Sequence, residues 1–204
     1  MIRDELLLSN LIKEIGIGEE LSKFLSYIEL IKVWSKKINL ISDLDNGKII
    51  RKQIIPSLLM VHQVKALPHA KILDLGAGAG FPGIPLKLAF PKSYFVLVES
   101  RRRRANFLKE VVRRLELTKI NVVNERLEEW CPKTKNGKID LVVTKAVGYN
   151  EKLYSSLGLV INKCGHIIYT LKSIEYTRIE KKGTILNRTR VWNEITAKWA
   201  VETI

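Results

Sequence analysis

Cysteine is nearly absent: Cys131 and Cys164 are the only two in 204 residues, 33 positions apart, and form no C-x-x-C pair. That spacing signals neither a disulfide framework nor a thiolate metal site, and two free thiols in a reducing compartment are expected. Histidine is as sparse. His62, His69 and His166 have no partner at ligand spacing, so they receive no role and no metal is expected. No stretch approaches the roughly 18 uninterrupted apolar residues of a membrane span. The first residues, MIRDELLLSNLIKEIG, carry acids where a targeting segment would be apolar. Fixed-period repeats and low-complexity tracts are also lacking. The expectation is a cytoplasmic monomer with one main core, away from membranes.

Charge of one sign is in short supply: 35 Lys and Arg face 21 Asp and Glu, a net charge of +14. Basic and acidic residues number 10 and 8 over residues 1–70, 12 and 7 over 71–130, and 13 and 6 over 131–204. The excess therefore belongs to the body of the chain, where a long-range field and counterion release would attract a polyanion, with nucleic acid the first to consider.

Two grammars follow one another. Over residues 4–15 and 19–38, Leu6, Leu7, Leu11 and Ile15, then Leu21, Phe24, Leu25, Ile28 and Ile31, recur at helical spacing, with Gly16 and Gly18 between them. A third helix is expected from Asn46 through Leu58 to Val64, with Pro56 as a kink or break, and Leu67, Pro68 and His69 close this helical segment, 1–68. From 69 to 204 short apolar runs alternate with amphipathic stretches. KILDL (71–75), YFVLV (94–98), INVVN (120–124), IDLVVT (139–144) and HIIYTL (166–171) read as strands, with helices near 82–90, 101–117 and 149–162. This alternation predicts an α/β, doubly wound, mostly parallel sheet covered on both faces. Over 173–204 a short helix and a β-hairpin are expected.

DLGAGAGFPG sits where the first strand should turn into a helix and holds Gly76, Gly78, Gly80 and Gly83. Glycines there permit positive φ and a close approach of backbone to ligand, ahead of a helix N-terminus with free N–H groups. Gly78, Gly80 and Gly83 also satisfy G-x-G-x-x-G, so the loop alone does not separate a dinucleotide from an adenosyl cofactor. Glu99 ends the second strand, where an acid can accept both ribose hydroxyls of either. No tyrosine has the Lys four positions later that a short-chain dehydrogenase needs, and Asp74 suits a sulfonium-bearing amino acid better than a pyrophosphate. The expected cofactor is S-adenosylmethionine, in a class I methyltransferase (Rossmann-like) fold behind the N-terminal helical segment.

The nucleophile is read by elimination. TKAVGY follows the fourth strand where amino-group methylation of adenine would show [DN]-P-P-[YF]. Carbon-5 pyrimidine chemistry needs a catalytic Cys, but Cys131, ahead of Pro132, reads as a surface loop and Cys164, beside Gly165, as a helix-to-strand turn. A target with a free lone pair, such as a purine ring nitrogen, remains. After the second strand, Arg101, Arg102, Arg103 and Arg104 open a helix whose apolar positions Leu108, Val111, Val112 and Leu115 face the sheet. Its outer face carries Arg102, Asn106, Lys109 and Arg113, to be weighed between RNA phosphate contact and a solvated face. Trp34, Trp130, Trp192 and Trp199 are expected to pack rather than stack on bases.

GAGAGFPGIPL, a strand ending in an acid, RRRRANFLKEVVRRLEL and NERLEEW together resemble the GidB (RsmG) family of bacterial small-subunit rRNA guanine-N7 methyltransferases. WSKKINLIS (34–42) is similar to that family's W-N-K-x-x-N-L-T, and the likeness covers residues 25–172. The resemblance implies methyl transfer from S-adenosylmethionine to N7 of a guanine in 16S rRNA, free or in the small subunit. It implies that Gly76, Gly78, Gly80 and Phe81 form the cofactor loop, that Glu99 holds the ribose, that Leu127 and Glu128 lie against the adenine, and that Lys145 contacts the cofactor. RNA would meet Arg101 to Arg104, Lys109 and Arg113. The chain departs from the family pattern at three places. Lys52, Gln53, Ile54, Ile55, Pro56 and Ser57 stand for Arg-His-x-x-Asp-Ser, Lys145-Ala146 for Arg-Ala, and Lys172-Ser173 for Lys-Gly. A methyltransferase with another RNA target, or an RNA-binding homologue with weakened or lost activity, remains an alternative.

Overall fold

The computed structural model describes residues 3–17, 21–61, 69–131, 138–145, 151–171 and 189–193, and of 151–154, 162–171 and 189–193 the course of the backbone alone. The chain opens with helices α1 (Arg3–Glu14) and α2 (Leu21–Ser35). Leu8, Leu11, Ile12 and Ile15 turn inward from the first, and Phe24, Tyr27, Ile28 and Ile31 from the second. Both faces follow the i, i+3, i+4, i+7 rule. The register of α1 differs from the sequence reading: Leu6 is 49% exposed and Leu8 fully buried. Leu21 and Leu25 are half-buried.

The expected third helix is broken into α3 (Asn46–Ile49), a π-helical turn (Ile50–Ile54) and α4 (Ile55–Leu59). Asp45 caps α3 by accepting from Lys48 N at 3.0 Å. Pro56 lies in the first turn of α4, where its missing N–H is tolerated, and the widened turn just before it absorbs the break.

Six strands, among the described residues, make one parallel sheet in the order β3-β2-β1-β4-β5-β6. They are β1 (Lys71–Leu75), β2 (Tyr94–Val98), β3 (Ile120–Val123), β4 (Ile139–Lys145), β5 (Ile161–Leu171) and β6 (Thr189–Asn193). Between them lie α5 (Gly83–Ala89), α6 (Arg102–Arg114), α7 (Leu127–Trp130) and α8 (Glu151–Val160). The order reverses at β1, the switch point where doubly wound sheets bind ligands beyond their strand ends. β5 starts five residues earlier than expected, so Cys164 lies within a strand and not at a turn. The 189–193 strand, within the span where a β-hairpin was expected, pairs parallel with β5, and the rest of that span lies outside the described residues. Residues 173–188 and 194–204, among which the short helix was expected, lie outside the described residues, as do Lys172 and His62.

Two apolar clusters flank the sheet. The larger joins α1, α2 and the 46–61 segment to α5, α6 and one face of β1 and β2, so the helical segment and the sheet share one core. The smaller lies on the opposite face, where Leu73, Leu75, Val96 and Val98 meet Leu127, Leu157 and Val160. At about 1.5–3 kcal/mol for each large apolar side chain buried, both faces contribute strongly to stability.

Candidate active site

Sheet register sets the site. Leu75 stands level with Val98 and with Thr144, and Val98 level with Val123. The residues just beyond, Gly76, Glu99 and Asn124, therefore emerge along one C-terminal edge, beside Lys145 at the end of β4. Thr144 Oγ1 donates to Leu75 O at 2.9 Å and ties β4 to the start of the glycine loop.

The loop itself is a chain of left-handed turns. Gly76, Gly78 and Gly80 have φ of 68°, 59° and 94°, a region costly for other residues. Gly76 N and Ala77 N both donate to Val98 O, so the loop bends over the end of β2. Its glycines do different work. A Cβ on Gly78 would make only ordinary van der Waals contact, with Gly76 O at 3.7 Å and Arg104 Nη1 at 3.8 Å, so its positive φ rather than crowding asks for glycine there. One on Gly80 would stand 2.7 Å from both Tyr27 Oη and Ile84 Cγ1, and one on Gly83 2.4 Å from Asp74 Oδ2. Gly76 is exposed, whereas Gly80 and Gly83 are packing glycines, buried under the loop.

Glu99, 5% exposed, holds the loop and the next helix together. Its Oε2 accepts from Gly78 N at 2.9 Å and its Oε1 from Arg101 N at 2.7 Å. Asn124 Nδ2 donates to Glu99 O and Ser100 O, fixing the peptide behind it. Each carboxylate oxygen keeps a further lone pair, which suits a pair of vicinal ribose hydroxyls.

Asp74 does not face a ligand, as the sequence reading had it. It is 0% exposed, and its Oδ2 accepts from Gly83 N at 2.8 Å, fastening the strand to the first turn of α5. Its Oδ1 has no hydrogen-bond partner. Burial pushes this carboxyl up to about 7, against the Gly83 N–H, which lowers it, and with the Glu99 charge raising it further.

Phe81 is buried against Tyr27, ring centroids 5.4 Å apart. Lys145 Nζ stands 5.9 Å over the Phe81 ring and donates to Gln53 Oε1 at 2.6 Å and Lys52 O at 3.1 Å. Leu127 is turned into the smaller core, so this residue can offer a base its backbone but not its side chain; Glu128 is half-exposed beside it. Cys131 is buried rather than in a surface loop, and burial, with the Glu128 charge adding, pushes its thiol up to about 11, which suits packing and not attack. No metal-ligating cluster occurs among the described residues.

The arginine run divides. Arg101, Arg102 and Arg103 are exposed, as is Lys109. Arg104 is half-buried, its Nη2 donating to Asn39 O at 3.2 Å across to the end of the N-terminal helices. Arg113 and Arg114 both pair with Glu110, so Arg113 is already partnered on the outer face. Val112 is half-buried rather than turned fully to the sheet, and Phe107 takes the inner position. Sequence reasoning missed Tyr27, whose hydroxyl donates to Ala79 O from α2, although its place in the 24-27-28-31 pattern was a signal. Gln53 was marked only as a departure from the family pattern, and Asn124 carried no signal.

This sheet order, glycine loop and strand-end acid define a class I S-adenosylmethionine-dependent methyltransferase fold, and the left-handed glycine loop and the Glu99 lone pairs fit that cofactor. A protein from Staphylococcus aureus described as a candidate caffeoyl-CoA O-methyltransferase shares the fold, with TM-score 0.53, 12% identity, and coverage of 70% of this chain and 65% of that one. A family model for rRNA small subunit methyltransferase G (GidB) matches residues 20–190, and the chain belongs to that family. A ribosomal RNA small subunit methyltransferase G from Clostridium kluyveri is 31% identical over 85% of this chain and 75% of its own length. One from Lachnoclostridium phytofermentans is 35% identical over 73% of this chain, which spans 62% of that relative. Among the described residues no helix is long and apolar enough to cross a membrane.

Proposed function

We propose that this chain methylates N7 of a guanine in small-subunit (16S) rRNA, using S-adenosylmethionine. The observation that carries it is the site's geometry in a chain of this family: a left-handed glycine loop and the Glu99 carboxylate at the strand ends, with exposed arginines opening the next helix beside them. S-adenosylmethionine supplies an electrophilic methyl group. Ring nitrogen 7 presents an in-plane lone pair and no proton, so alignment is enough and no base is obligatory. Gly76, Gly78, Phe81 and Lys145 border the cofactor, and Glu99 takes its ribose. Gly80 shapes the loop from beneath, and Leu127 and Glu128 supply backbone and a rim beside the adenine. The exposed cations Arg101, Arg102, Arg103 and Lys109, next to Glu99, receive the RNA; Arg104 supports them through its Asn39 contact, and Arg113 contributes only if it leaves Glu110.

The test is a reaction with small-subunit rRNA or isolated subunits and methyl-labelled cofactor, followed by nucleoside analysis. The expected product is 7-methylguanosine at one position. Label on an amino group, a pyrimidine carbon or a ribose would overturn the N7 assignment. Cofactor binding without transfer to any rRNA form would favour a non-catalytic RNA-binding protein.

A further inference from the structure

Among the described residues some cations pair with a carboxylate and others do not; of the exposed ones that do not, several such as Arg3, Lys13, Lys92 and Arg126 stand on other elements, and six stand at α6 or in the turn after α2. Lys32 pairs with Glu29, Lys48 with Asp43, Arg51 with Asp4, and Arg113 and Arg114 with Glu110. Lys36, Lys37, Arg101, Arg102, Arg103 and Lys109 are exposed, and their side chains make no hydrogen bond or ion pair among the described residues. Four of these six open or line α6. The other two lie 64 or more residues earlier in sequence, in the turn that closes α2.

Two contacts bring that turn against α6. Arg104 Nη2 donates to Asn39 O at 3.2 Å, and the Trp34 ring meets Phe107 edge-on at 5.7 Å. The turn is itself held: Lys37 N and Ile38 N both donate to Trp34 O, at 2.8 and 2.9 Å. Lys36 and Lys37 are thus fixed beside the first turns of α6, whose start is anchored to the cofactor edge through Arg101 N and Glu99. The first turn of α6 contains no acid, so its arginines cluster at the positive end of a helix dipole, where the buried Glu99 carboxylate, accepting from Arg101 N, offsets part of the charge. An anion from outside would relieve both that repulsion and the clustering of like charge.

We propose that Lys36 and Lys37 form a second arm of the RNA-contact surface, one cationic strip with Arg101, Arg102, Arg103 and Lys109 that takes the phosphates of a single rRNA segment. This rests on the rRNA reading above. The N-terminal helical segment then does more than complete the core: the Arg104 contact carries its two lysines to the substrate edge. Arg104 is a positioning residue for the strip.

The experiment is binding of a small-subunit rRNA fragment to the full chain over a range of salt, for the parent, Lys36→Gln/Lys37→Gln, Arg102→Gln/Lys109→Gln and Arg114→Gln. Each lost phosphate contact lowers the slope of log K against log salt by about 0.7–0.9, so either double variant should flatten it by roughly 1.4–1.8. Cofactor affinity should be unchanged in both. Arg114→Gln removes a cation already paired with Glu110 and should leave the slope as it is. A parental slope in the Lys36/Lys37 variant with a flattened one in the Arg102/Lys109 variant overturns the second arm and leaves the rRNA reading standing. Equal flattening by Arg114→Gln would show a general charge effect and overturn the strip. Loss of N7 transfer is read separately, by nucleoside analysis, and bears on the function rather than on this surface.

Discussion

Asp74→Asn should remove most of a pH dependence that runs against the usual direction for a carboxylate. The group is wholly enclosed, one oxygen accepting from Gly83 N and the other from nothing, with Glu99 nearby and Tyr27 buried on the other side of the loop. Burial raises its folded-state value from 3.8 to about 7, so between those limits the native chain keeps a proton that the unfolded chain has lost. Stability from this group is therefore fully present below about pH 4 and declines as pH rises towards 7. The rise corresponds to at most about 4 kcal/mol. Asparagine keeps an acceptor for Gly83 N and cannot ionise. Urea unfolding of both proteins from pH 4.5 to 8 is the assay, and the variant should gain on the parent steadily until about pH 7. Glu110 titrates in the opposite sense, pulled down to about 2 by its hydrogen bond to Arg113, but is common to both proteins and cancels. Parallel stability curves would refute the claim that Asp74 folds protonated.

Tyr27→Phe should cost about 1–3 kcal/mol by leaving Ala79 O buried without its donor, and should weaken cofactor binding through the loosened loop; unfolding and calorimetry on one sample check both. Glu99→Ala should weaken cofactor binding by one to two orders of magnitude, as hydrogen bonds to a charged group are worth about 1.5–3 kcal/mol. An equal loss for an analogue lacking ribose hydroxyls would show that the carboxylate serves only Gly78 N and Arg101 N. Lys145→Ala should slow methyl transfer without abolishing it, whereas Lys145→Arg, whose fork can reach both Gln53 Oε1 and Lys52 O, should match the parent in single-turnover rate.

The strands were legible because a doubly wound sheet is covered on both faces, so β1 and β2 are continuous apolar runs bounded by turns, and both lie where the sequence placed them. The face of α1 was not. Leu6, Leu7 and Leu8 are adjacent at 100° intervals, and only docking against the π-helical turn and α2 decides which of them is buried. Tyr27 carried the right spacing, but a buried hydroxyl needs a partner, and that partner is a carbonyl 52 residues away. Asp74 was legible as an acid at the glycine loop but not as an enclosed one: that follows from Gly83, which places α5 directly over it. Cys131 was misread because Pro132 suggested a loop, whereas the short α7 tucks the thiol beneath Leu127.

The departures from the family pattern looked independent in sequence, since Lys52, Gln53 and Pro56 stand some 90 residues before Lys145. The fold brings them to one contact. A proline gives no N–H to the carbonyl four residues before it, and for Pro56 that carbonyl belongs to Lys52. Lys145 Nζ donates to this oxygen and to the Gln53 side chain one residue on. The π-helical turn spans both acceptors and presents them to the end of β4, beside Phe81. Lys145 and the 52–56 turn therefore form one corner at the strand ends, in which the N-terminal helical segment, through the Lys52 carbonyl and the Gln53 side chain, sets where the lysine stands.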